Sequence, residues 1–137
     1  MESWSVTLKI EKIEHFSINC IDYQKSRKFY EGILGFKFLE TVDCGDFDIS
    51  YFALPGGSRL ELFDYRGKNR VVSHEEGESG LRHVAFQVED VAAHEKELRA
   101  AGVEIVLPTC GLPNLGVRVM LFNDPNGVTL EFCEPLK

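Results

Sequence analysis

The sequence predicts an α+β fold of two tandem β-α-β-β-β modules whose strands build a curved mixed sheet around a cleft. Three observations carry this reading. The chain repeats itself at an offset near 70 residues, each repeat pairs a short apolar strand with a helix-length segment, and each closes on three further strand-like stretches. Its 137 residues fit a single domain, 1–137, with modules at about 10–64 and 81–134 and a linker at 65–80.

The repeat rests on aligned residues. Ile13 to Asp22 superposes on Leu81 to Asp90 at an offset of 68, so that His15 meets His83 and Asp22 meets Asp90. Leu54 to Leu62 superposes on Asp124 to Phe132 at an offset of 70, bringing Pro55, Gly57, Leu60 and Glu61 onto Pro125, Gly127, Leu130 and Glu131. Each half therefore holds a histidine in its first strand and a glutamate in its last, 46 residues apart in one half and 48 in the other.

Taken in order, the apolar stretch at 16–21 is the first strand. A helix is predicted over Asp22 to Leu34, with Asp22 suited to cap it and Gly35 to stop it. Strands are predicted over Phe36 to Val42, Asp46 to Leu54 and Ser58 to Asp64. In the second half, Asp90 caps a helix to Ala101 that Gly102 ends, and strands follow over Val103 to Leu107, Gly116 to Phe122 and Val128 to Glu134. Between the halves, 65–80 is dense in charge and broken by glycines. It reads as a linker or flap whose charges, His74 included, form a solvated face.

Composition narrows the function. A net charge of -7 gives no electrostatic footprint for nucleic acid or an acidic membrane. No apolar run reaches the roughly 18 residues of a membrane span, and no secretory leader is evident, so a cytoplasmic location is expected. Cys20, Cys44, Cys110 and Cys133 form no C-x-x-C pair and read as reduced thiols, with Cys20 in the core.

Alternation along the strands assigns the polar residues to faces. His15, Ser17 and Asn19 oppose Phe16, Ile18 and Cys20; Arg59, Glu61 and Phe63 oppose Leu60 and Leu62; Glu131 opposes Leu130 and Phe132. Both histidines and both glutamates thus leave the apolar backing, and their faces must cover one another or form a cleft. Two half-buried carboxylates need a counter-charge. Arg59 could supply part of it as an ordinary ion pair, or the glutamates could be exposed. One divalent metal per site, Ni, Zn, Co, Mn or Fe, would account for all four residues, since two imidazoles and two carboxylates suit such an ion and leave coordination positions open.

The paired modules with His15, Glu61, His83 and Glu131 resemble the vicinal oxygen chelate superfamily, which includes glyoxalase I, epimerases, extradiol dioxygenases and antibiotic-resistance proteins. The stretches Phe29 to Phe36 and Asp124 to Phe132 are similar to its F-Y-x-x-x-L-G-F and D-P-x-G-x-x-x-E-F signatures. The resemblance implies that His15, Glu61, His83 and Glu131 are the metal ligands and that the chain forms a homodimer. It implies most directly a lyase or isomerase of glyoxalase I type, with Glu131 or Glu61 moving a proton alpha to a carbonyl through a metal-stabilised enediolate. An extradiol-type dioxygenase and a ligand-binding or resistance module without turnover are the alternatives. Asn19 and Tyr65 stand where glyoxalase I carries an arginine and an asparagine, which counts against glutathione as the thiol. Arg59 and Arg118 are candidates for holding an anionic small-molecule substrate, with Asn19, Phe52, Phe63 and Phe122 as further lining residues.

Overall fold

The strand-forming residues are β-branched and aromatic, and the segments after the first strand of each half begin at an Asp that cannot easily join a sheet. The computed structural model describes residues 8–70, 77 and 79–137. Residues 71–76 and 78 of the joining segment, and His74 with them, lie outside the described residues. The first module runs β1 (His15–Cys20), α1 (Tyr23–Arg27), β2 (Lys37–Asp43), β3 (Asp48–Ala53) and β4 (Arg59–Asp64). The second runs β5 (Val84–Gln87), α2 (Val91–Ala100), β6 (Glu104–Leu112), β7 (Val117–Asn123) and β8 (Thr129–Pro135).

Both helix starts are as the sequence dictates. Asp22 accepts from the N–H of Lys25, and Asp90 from the N–H of Ala93, each three residues into its helix. The stops hold as well, with Gly35 and Gly102 at φ of 80° and 78°, a conformation open to glycine. The first helix differs from the continuous one predicted. After α1 it widens into a π-helical segment, Lys28–Ile33, in which Leu34 N–H reaches Phe29 C=O. Phe29 and Tyr30 are both buried in this wider segment, with their rings edge-on at 4.9 Å. β6 also runs further than predicted, to Leu112, because two irregularities in its register let it stay paired with β7 past Pro108.

Each module folds its strands into one mixed sheet, in the orders β1-β4-β3-β2 and β5-β8-β7-β6. In each, the first strand runs parallel to the last and the other neighbours are antiparallel. The sheets are separate, and β1 and β5 are both edge strands. One core joins them. Phe52, Leu60 and Leu62 of the first sheet and Met120, Phe122 and Leu130 of the second are fully buried in it. Phe29 packs on Phe122 at 6.3 Å and Phe36 on Phe86 at 5.5 Å, so the modules meet through their apolar sides. No helix among the described residues is long and apolar enough to cross a membrane.

Candidate functional site

Since both apolar faces look into the shared core, alternation turns the opposite faces away from it. In the first module the β1–β4 register sets His15 opposite Arg59, Ser17 opposite Glu61 and Asn19 opposite Phe63. The β3–β4 register adds Tyr51 opposite Glu61. His15 Nε2 lies 3.4 Å from Glu61 Oε1, and Ser17 Oγ donates to the same oxygen at 2.7 Å. Glu61 is 7% exposed despite facing outward from the core, so its carboxylate is enclosed by these neighbours.

The other nitrogen of His15 is engaged too. Its Nδ1 is 2.8 Å from Glu14 Oε1, and Arg59 donates to that oxygen at 2.9 Å while its guanidinium stacks over Tyr51 at 4.6 Å. Arg59, and then His15, hold the Glu14 carboxyl down at about 2. Burial and then the Glu61 charge push the Tyr51 hydroxyl above its ordinary value. Alongside stands an aromatic group: Phe47 stacks on Phe63 at 5.5 Å, with Tyr65 5.3 Å from Phe47.

The second module repeats the pair with fewer supports. His83 Nε2 is 3.0 Å from Glu131 Oε1, and the residues opposite Glu131 are Ala85 on β5 and Leu121 on β7. His83 Nδ1 is buried without a hydrogen-bond partner among the described residues. Burial and the Glu131 charge raise the Cys133 thiol.

The fold thus brings His15 to Glu61 and His83 to Glu131, but among the described residues no three His, Cys, Asp or Glu side chains come together as a metal cage. The two pairs are separate within one chain. Each offers an imidazole nitrogen and a carboxylate oxygen on a common face, and in the first a carboxylate orients the second ring nitrogen, an arrangement that suits a His-bound divalent ion.

The other predicted residues divide by face. Asn19, Arg59 and Phe63 share the face of Glu61. Phe52 and Phe122 do not line a pocket; both are fully buried in the shared core because their strands turn them opposite Leu60 and Leu130. Arg118 sits opposite Glu134 and bonds it at 3.1 Å, on the face of β7–β8 away from Glu131. Glu14, Ser17 and Tyr51 escaped the sequence reading as site residues. Alternation alone puts Ser17 on the face of His15, whereas the place of Tyr51 depends on the register between β3 and β4, which the structure supplies.

Comparison with known proteins places this fold in a family. The chain is similar to YaeR of Escherichia coli (strain K12), 33% identical over 93% of this chain and 98% of that protein. It also resembles the lactoylglutathione lyase of Haemophilus influenzae (strain ATCC 51907 / DSM 11121 / KW20 / Rd), at 23% identity over 90% of this chain and 92% of that one. The solved structure of SMU.1112c superposes with a TM-score of 0.79 at 30% identity, covering 92% of this chain and all of the other. Residues 12–132, which include both His–Glu pairs, match one family as a unit, and the chain belongs to the glyoxalase/bleomycin resistance protein/dioxygenase superfamily.

Proposed function

We propose that the chain is a metal-dependent lyase or isomerase of glyoxalase I type, acting as a cytoplasmic homodimer on a small molecule and moving a proton at a carbon alpha to a carbonyl. The observation that carries this is the repeated pairing of an imidazole Nε2 with a carboxylate Oε1, at 3.4 Å in one module and 3.0 Å in the other, on faces turned away from the core. Each pair is half of a four-ligand set. His15 and Glu61 of one copy would join His83 and Glu131 of a second copy, and the edge positions of β1 and β5 leave both strands available for that meeting.

A divalent ion, held by His15, Glu61, His83 and Glu131, would supply Lewis-acid stabilisation of the negative charge that develops beside the carbonyl. The chain's own work is to place the proton acceptor. A carboxylate oxygen of Glu131, or of Glu61, takes the proton and returns it at the neighbouring carbon. Asn19, Arg59 and Phe63, on the same face as Glu61, would contact the substrate. Arg59 already serves Glu14, so its free donors and not its whole charge are available to an anion.

The test is proton exchange. Metal-loaded protein is incubated in deuterated water with hemithioacetals of 2-oxoaldehydes and with acyl thioesters, and deuterium at the alpha carbon is followed by NMR. Incorporation that Glu131→Gln abolishes while still binding metal supports the reading with Glu131 as base; full turnover in that variant excludes Glu131 as the sole base. Tight ligand binding with no exchange would instead favour a binding module, and oxygen uptake with a catechol a dioxygenase.

A further inference from the structure

The two half-sites are related by the internal repeat, yet the residues that flank their carboxylates differ in kind. Parallel pairing of β1 with β4 sets Ser17 opposite Glu61, and the equivalent pairing of β5 with β8 sets Ala85 opposite Glu131. On the other side of each glutamate stand Tyr51 and Leu121. Glu61 is thus flanked by two hydroxyl-bearing side chains, and Glu131 by two hydrocarbon ones.

We infer that Ser17 is a positioning residue for Glu61, and that it makes the Glu61 half-site the fixed half of the metal centre. This rests on the metal-dependent reading above. The Ser17 hydroxyl donates to Glu61 Oε1 at 2.7 Å, the oxygen that also faces His15 Nε2. A hydroxyl–carboxylate bond of that length holds the carboxylate in one orientation, and such supports of a ligating carboxylate govern metal affinity. Strand pairing does not itself require a hydroxyl at this place, because Ala85 occupies the equivalent position in the second sheet. The His15 half is further braced by Glu14 on Nδ1, while His83 Nδ1 has no such partner among the described residues. Both supports sit on the same half. Ser17 is exposed in the isolated chain, so its hydroxyl can be removed without opening a cavity in the core.

The experiment uses the full chain freed of metal, as wild type, Ser17→Ala and Ser17→Thr, each checked for an unchanged thermal melt. Cobalt(II) is titrated in, and affinity and the ligand-field absorption band are read together. Ser17→Ala is expected to bind cobalt about tenfold more weakly with a shifted band, and Ser17→Thr, which restores the hydroxyl on a strand-favouring residue, to recover both. Equal affinity and an identical band in Ser17→Ala would overturn the role of Ser17 and leave the metal site standing. A loss that threonine does not recover would also overturn it, since the hydroxyl would not be the cause. Failure of the wild type itself to bind cobalt would instead remove the metal-dependent reading, and the role of Ser17 with it.

Discussion

The hydroxyl of Tyr30, in the helical segment of the first module, donates to Asp124 Oδ2 in the last turn of the second at 2.7 Å, with both residues buried. Asp124 is the hub of that turn. Its Oδ1 accepts the N–H groups of Asn126 and Val128, and Asn126 Oδ1 in turn accepts the N–H of Ile21, beside β1. The Asp-Pro-Asn-Gly stretch before β8 is therefore a clasp between modules as well as a turn. It fixes β8, which carries Glu131, against the helix of the other half.

Replacing Tyr30 by Phe keeps the ring packed and removes only the donor. The loss of one buried hydrogen bond to a charged group is expected to cost about 1.5–3 kcal/mol. Urea unfolding should show a lowered midpoint with an unchanged slope. A midpoint equal to wild type would mean that the bond contributes nothing to joining the modules.

How much of this was legible beforehand differs between elements. The histidines and glutamates align at nearly constant offsets, so the repeat and the succession β-α-β-β-β in each half could be read, and both helix ends from Asp22, Asp90, Gly35 and Gly102. The widening at Lys28–Ile33 was not legible, because the helical spacing of the segment does not reveal that Phe29 and Tyr30 pack against the other module. Arg118 misled for a related reason. It lies near Glu131 along the chain of strands, but the β7–β8 register pairs it with Glu134 and turns it to the opposite face. The register between neighbouring strands decides such cases, since it sets which residue each side chain meets.

The cysteines differ sharply in burial. Burial pushes the Cys20 thiol up to about 11, whereas Cys44 is exposed in the turn between β2 and β3. Iodoacetamide at about pH 8 should modify Cys44 first and reach Cys20 only on unfolding. Because the folded state favours the neutral Cys20 thiol, its contribution to stability is complete below the ordinary thiol value of 9.0 and falls away as pH rises towards about 11. Peptide mapping that finds Cys20 labelled as fast as Cys44 in the native protein would contradict its placement in the core.

At the acid end the informative group is Glu14. Arg59 and His15 hold its carboxyl at about 2, below the ordinary 4.5, so the stability it contributes is present above 4.5 and is lost as pH falls through about 2. Glu14 is exposed, which makes the effect small and sensitive to salt. Metal-free Arg59→Ala is expected to lose less stability than wild type across that interval, and the difference should shrink in roughly 1 M salt, where charges are screened within about 3 Å. Parallel acid-unfolding curves for the two proteins would refute the pairing.

On the proposed function, the two His–Glu pairs of one chain would serve different metal centres, each completed by a second copy. Complementation tests it most directly. His15→Ala and His83→Ala are purified separately, unfolded, mixed, refolded together and assayed for bound metal by elemental mass spectrometry. Neither variant alone holds an intact four-ligand set. In a mixed dimer, however, the wild-type His15–Glu61 pair of one chain meets the wild-type His83–Glu131 pair of the other, so the account predicts one restored metal ion per mixed dimer. Metal absent from the mixture, though present in wild type carried through the same refolding, would contradict a shared site and return all four ligands to a single chain.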